Sequence, residues 1–219
     1  MPDKVKASTR SGRDGSAGNL SPAVDMDTES QTPRKLQILD VAARLFSEKG
    51  YRDTSMRDIS EVMGLKAGSL YSHISSKDEL LYRLMLNVAD KLCDAAAEAE
   101  KGEGTAKERL ERFIYLQLDL LREHREEITI LLFEWRFLNE EQSREIISRR
   151  DAGEKSLRNI LRSGVKSGEF VSGSEKWGAF AILSVTNWAH QWYATSGELS
   201  TAQIAARFSE LLCDGLTPR

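Results

Sequence analysis

From residue 34 onward apolar side chains recur every three or four positions, and no stretch alternates convincingly in the two-residue period of a strand. That regularity confines the chain to packed amphipathic helices, an all-α fold. Leu36, Leu39, Ala42, Ala43 and Phe46 mark a first helix that stops at Lys49 and Gly50, a basic last turn followed by a glycine. Thr54 or Ser55 caps a second, shorter helix, with Met56, Ile59 and Met63 inward, Arg57, Asp58 and Glu61 outward, and Gly64 at its end. Only a few residues, Leu65 and Lys66 among them, separate it from a third short helix running from Ala67 to about His73. Ser76 and Glu79 are spaced as a capping box and open a fourth helix that runs to about Glu100. Breaks at 101–104, around His124, at Asn139, at 168–174 and at 196–200 leave five further helices. The organisation expected is a three-helix head over 34–80 and a connecting helix leading into a helical bundle, together 81–219. Residues 1–33 mix Ser, Thr, Gly, Pro and Asp without periodicity and read as a disordered arm. Its Lys4, Lys6, Arg10 and Arg13 could touch phosphates, but a solvated leader is the simpler reading.

Charge and residue chemistry exclude several classes. The formal net charge is -3, so any contact with nucleic acid must come from a local patch. Residues 34–83 carry nine basic and seven acidic side chains, and everything after them carries 18 basic and 22 acidic ones, so the head is the basic part. No apolar run approaches the roughly 20 residues of a membrane span, and the opening residues lack the apolar stretch of a secretory signal; a cytoplasmic protein without a membrane partner is expected. Cys93 and Cys213 fall inside helical patterns and read as small buried hydrophobes rather than a disulfide or zinc pair. His73, His124 and His190 are far apart and no carboxylate cluster has ligand spacing, so neither an enzyme, a metal site nor a cofactor is expected.

Two short helices joined by a glycine-containing turn form the helix-turn-helix architecture that fits a DNA major groove. Ala67 and Gly68 keep the third helix slim where it would approach the duplex. Ser69, Tyr71, Thr54 and Lys77 are natural phosphate ligands, Lys66 and Arg57 are the candidates for base edges, and His73 suits either purpose. Leu70 and Ile74 read as the core face of the same helix. The string over 54–80, TSMRDISEVMGLKAGSLYSHISSKDEL, with Ile38, Ala42, Leu45, Phe46, Gly50 and Tyr51 before it, closely resembles the DNA-binding head of the tetracycline-repressor (TetR) family. Ile74 stands where that family usually has Phe, and Ser60 where it usually has Ala.

The resemblance implies a homodimer on double-stranded operator DNA, because one head reads too few base pairs for useful specificity. It also implies an interface on the last two helices, 174–194 and 200–215, carrying Trp177, Phe180, Trp192, Phe208 and Leu211. Body helices of the family enclose an effector pocket; apolar residues crowd 128–138 here, and Phe133 and Trp135 are candidates for its wall. The run 187–193, followed by Gly197 to Ser200, Ile204, Ala205, Phe208, Leu211, Leu212, Gly215 and Leu216, is similar to TetR-type regulators of fatty-acid and sterol breakdown. Arg149, Arg150 and Asp151, with Gly164, Gly168, Glu169 and Phe170, fit the same pattern, whereas Ala194, Thr195 and Ser196 replace an Arg-Pro-Asp turn often found there. That similarity implies an acyl-CoA effector, which needs an apolar tunnel for its chain and cations for its phosphates. Arg150 is the candidate cation, against an ion pair of either arginine with Glu145 or Glu154; Trp188 either stacks on a ligand ring or joins Trp192 in the dimer core. A sensor of hydrophobic drug-like compounds is the alternative within the family.

Overall fold

The computed structural model describes residues 33–193 and 197–216, and the basic arm and the 194–196 turn lie outside the described residues. Nine α-helices account for most of the described residues, and no strand occurs among them. Pro33 opens α1 (Pro33–Lys49), in the first turn, where an N–H has no intrahelical acceptor to lose. Gly50 ends it at φ 89°, a left-handed value that glycine adopts without penalty. Ser55, not Thr54, caps α2 (Met56–Val62), with a reciprocal capping box to Asp58. The turn into α3 (Ala67–Tyr71) is a Schellman motif: Gly64 at φ 64° donates to Glu61 O at 3.1 Å, and Leu65 donates to Ser60 O at 2.8 Å. Ser76 caps α4 (Lys77–Lys101) as expected, but Glu79 reaches past it to the Ser75 amide at 2.7 Å, so the box is not closed on the cap itself.

Capping boxes at Thr105 and Asn139 start α5 (Ala106–Glu123) and α7 (Glu140–Ser167). Between them α6 (Arg125–Phe133) stops earlier than expected, and a 3₁₀ turn (Trp135–Phe137) fills the interval to Asn139. Helices α8 (Ser174–Trp192) and α9 (Thr201–Leu216) close the chain. One continuous core runs from Ile38 in α1 through Leu110, Phe113 and Ile114 in α5 to Leu157, Leu161 and Ile182 in α7 and α8. The head therefore shares its core with the body; α4 and α6 both pack against α1 and link the two. Leu70 and Ile74 are fully buried, as the helical stripe predicts.

Two glycines of α7 illustrate how packing, and not helix propensity, sets the cost of a side chain. At Gly164 a Cβ would lie 2.2 Å from the Phe170 ring and 2.9 Å from Ala106 Cβ; at Gly153 it would meet only Ala96 Cβ at 3.8 Å and Cys93 Cα at 3.9 Å. Gly164→Ala is expected to cost about 2 kcal/mol in urea unfolding through overpacking. Gly153→Ala should stabilise the fold by about 0.5–1 kcal/mol, because a mid-helix glycine gives up backbone entropy that alanine does not. Equal effects at the two sites would contradict this packing.

Candidate nucleic-acid interface and internal cavity

The outer face of the head is built by what α3 does not bury. Leu70 and Ile74 fix the helix to the core, which leaves Lys66, Ala67, Gly68, Ser69 and Tyr71 exposed and His73 half-buried beside them. Arg57 on α2 is exposed and is held at 2.7 Å by Glu61 in a solvated pair, which competes weakly with any other acceptor. A Cβ at Gly68 would meet nothing within 4 Å, so this surface is open to an approaching molecule.

Two residues expected at phosphates turn inward instead. Thr54 is 1% exposed, and its hydroxyl donates to Gly50 O at 3.0 Å and Leu45 O at 3.2 Å, closing the end of α1. The Lys77 ammonium donates to Tyr51 O and Thr54 O at 2.9 Å and to Arg52 O at 3.4 Å, and lies 4.3 Å from the Tyr51 ring centre. Three N–H donors facing three carbonyls leave it no free donor, so in this geometry Lys77 clamps the loop between α1 and α2 and is not presented to a phosphate. Sequence spacing could not show this, because the carbonyls belong to residues 23 to 26 positions away. The Tyr51 hydroxyl donates to Asp78; burial first, then that bond and the Asp78 charge, push its acidity far into the alkaline range.

A body residue completes this cluster. The Phe137 ring from the 3₁₀ turn lies 5.1 Å from the Tyr51 ring, with the guanidinium groups of Arg52 and Arg136 at 5.0 and 5.2 Å from its centre. Its role was not legible in the sequence, where it reads as one of many apolar residues in 128–138.

Helices α4 to α8 surround a cavity of about 300 Å³. Leu92, Phe113, Leu121, Ile128, Leu131 and Leu183 give it an apolar wall, while Arg149, Arg150, Asp151 and Glu154 from α7 form a polar side. Its internal polar groups are largely satisfied by the protein: Gln117 donates to Leu92 O at 3.2 Å and Thr186 to Ile182 O at 3.0 Å. Burial raises the pKa of the Cys93 thiol on the same wall, which keeps it protonated and apolar in character. The two arginines differ. Arg149 is tied to Asp90 at 2.6 Å and Glu145 at 3.2 Å, bonds that make it a still stronger base and tie α7 to α4. Arg150 lines the cavity, is exposed, and makes no ion pair with a described residue. Glu154, the alternative partner, pairs with Arg158 instead.

Phe133, Trp135 and Trp188, expected at the cavity, do not line it. Phe133 and Trp188 flank the buried His190 ring at 5.2 and 5.8 Å, and Trp135 stands exposed at the start of the 3₁₀ turn. The helical stripe through 128–138 is continuous, but α6 ends at Phe133, so the residues beyond it leave the cavity wall. Trp188 belongs instead to an exposed apolar surface on α8 and α9: Trp177 is 69% exposed, Trp188 62% and Leu211 75%, with Phe180 and Trp192 also on the surface. Phe208 is half-buried, 5.6 Å from the Trp192 ring.

A helix-turn-helix head on a helical body with an internal cavity is the arrangement of a DNA-binding regulator. A family model described as "Bacterial regulatory proteins, tetR family" matches residues 38–84, and one described as "Tetracyclin repressor-like, C-terminal domain" matches residues 103–216. The chain belongs to the TetR family and is a DNA-binding transcriptional regulator, not an enzyme. It is 28% identical over 199 residues to the HTH-type transcriptional repressor KstR2 of Rhodococcus jostii (strain RHA1), covering 90% of this chain and 98% of that protein. The solved structure of PfmR, a TetR family transcriptional regulator from Thermus thermophilus, superposes with a TM-score of 0.77 at 33% identity over 83% of this chain and 99% of that one. AibR, solved in complex with isovaleryl coenzyme A and operator DNA, superposes with a TM-score of 0.71 at 27% identity over 80% of this chain and 95% of that one. No helix among the described residues is long and apolar enough to cross a membrane.

Proposed function

We propose that this regulator is a repressor, a homodimer released from its operator by an acyl-CoA or a related CoA thioester. One observation carries the effector reading: an apolar cavity of about 300 Å³ has at its α7 side an exposed arginine, Arg150, with no ion-pair partner among the described residues. An acyl chain gains from such a wall, and a phosphorylated headgroup gains from the cation. The isovaleryl-CoA complex of the relative AibR supports the class of ligand. On the DNA side, Arg57 and Lys66 are the candidates for base edges, and Ser69 and Tyr71 for phosphates. The exposed aromatic surface of α8 and α9, with Trp177, Phe180, Trp188, Trp192 and Leu211, supports pairing of two copies there.

Release requires that the effector prefer a conformation in which the two heads are wrongly spaced. Two elements that line the cavity also reach the head and would carry that bias. Helix α4 carries Leu92 in the cavity wall and starts at the Lys77 clamp of the head. Helix α6 carries Ile128 and Leu131 in the wall and ends just before Phe137, which rests on Tyr51. Expansion of the cavity would therefore be felt at both attachments of the head.

Fluorescence anisotropy of the DNA upstream of the gene, titrated with the purified full chain, tests the reading. Salt-sensitive binding relieved by long- or short-chain acyl-CoA, and not by free CoA or free fatty acid, is the expected result. Relief by neutral aromatic compounds alone would replace the thioester with a drug-like effector, and indifference to all of them would remove the effector claim.

A further inference from the structure

Beside the cavity, and sharing its Asp151 and Glu154, a groove of about 340 Å³ runs along α7 between Lys155, Arg158, Asn159 and Arg162. Resting on the acyl-thioester reading above, we propose that this groove seats the phosphates of the coenzyme's nucleotide, while the acyl group occupies the cavity and the pantetheine arm crosses the shared rim.

Four observations support the assignment. The three cations at 155, 158 and 162 fall on one helical face, so their charges converge on a single groove. With Asp151 and Glu154 on the same lining the groove keeps a small positive excess, and two of its three cations make no ion pair with a described residue. Lys155 has no ion-pair partner among the described residues, and Arg162 donates only to the neutral Asn159 amide at 2.8 Å. Arg158 pairs with Glu154 yet keeps a buried Nε that has no acceptor. Its guanidinium is steadied 5.8 Å over the Phe180 ring, and the Lys176 ammonium lies 5.9 Å from the same ring, which brings a fourth cation to this side.

The position along the helix fits the shape of the ligand. Helix rise puts Lys155 to Arg162 roughly 8–18 Å beyond Arg150, a span suited to an extended arm between a thioester and a diphosphate. Asp151, at the shared rim and without an ion-pair partner among the described residues, repels phosphate there and favours the uncharged arm at that point. Arg150 then serves the mouth of the cavity, not the full phosphate load, which one guanidinium would neutralise poorly.

The test compares one acyl group carried on CoA, on 3′-dephospho-CoA and on pantetheine alone, by calorimetric titration of the full chain and of its Lys155→Gln/Arg162→Gln variant. Wild type should bind acyl-CoA about 100-fold more tightly than acyl-pantetheine, since each charge-assisted phosphate contact is worth roughly tenfold or more. The double variant should lose at least about tenfold in acyl-CoA affinity while binding acyl-pantetheine as wild type does. A variant that keeps the full preference for acyl-CoA overturns the groove, as does a wild type that binds both thioesters equally; in both cases the thioester effector survives. A wild type that binds no thioester removes the effector reading itself. Should the double variant bind neither thioester, competition in wild type decides: adenosine 3′,5′-bisphosphate must displace acyl-CoA and leave acyl-pantetheine bound, or the proposal fails.

Discussion

Replacing Gly68 with glutamate is expected to abolish specific operator binding, by at least about 100-fold, with no loss of thermal stability. The stability half follows from the site: a Cβ at Gly68 meets nothing within 4 Å, its backbone is not left-handed, and glutamate is a better helix former than glycine. The binding half follows from the position of Gly68 on the exposed side of α3, between Lys66 and Tyr71. A long side chain there holds the helix away from the groove floor, and its carboxylate faces phosphates. Losing two contacts worth about 1–3 kcal/mol each accounts for the expected factor. Electrophoretic mobility shift with a melting curve on the same preparation checks both halves. Undiminished operator binding would mean that α3 does not enter the groove by this face.

Leu183→Trp should raise the effector concentration needed for release by at least about 100-fold. Leu183 is a partly buried residue of α8 on the cavity wall, and an indole in its place occupies much of a space of about 300 Å³. Excluding four methylenes of an acyl chain forfeits about 3 kcal/mol at roughly 0.8 kcal/mol each, which corresponds to that factor. Operator affinity without effector is the control, and a fall there would show that the indole had distorted the body. A variant released as readily as wild type would place the effector outside this cavity.

Much of the head was legible because its signals are local. The glycine after α1, the glycine that ends α2 and the Ser76 cap of α4 each act within a few residues, and all stand where the spacing puts them; only the structure chose Ser55 over Thr54 as the cap of α2. Burial of Leu70 and Ile74 followed from the same helical period. The candidate site was legible only in part. Arg57, Lys66, Ala67, Gly68, Ser69 and Tyr71 are all exposed, whereas Thr54 and Lys77 are used up in holding the loop from which α2 begins. A residue type suited to phosphate is equally suited to backbone carbonyls, and only the partners present decide which it meets.

In the body the sequence determined the number of helices and which residues form each apolar stripe, since these depend on propensity and period along a few turns. The similarity to regulators of fatty-acid and sterol breakdown pointed to a pocket but not to its wall. Which stripe faces a cavity, a neighbouring helix or the surface depends on how α4 to α8 are set against one another, and that is fixed by packing between residues distant in the chain. Tertiary structure alone therefore moved Phe133, Trp135 and Trp188 off the cavity, tied Arg149 to Asp90 while leaving Arg150 at the mouth, and set Phe137 against Tyr51. These outcomes turn on contacts between helices far apart in the chain, where a helical period carries no information.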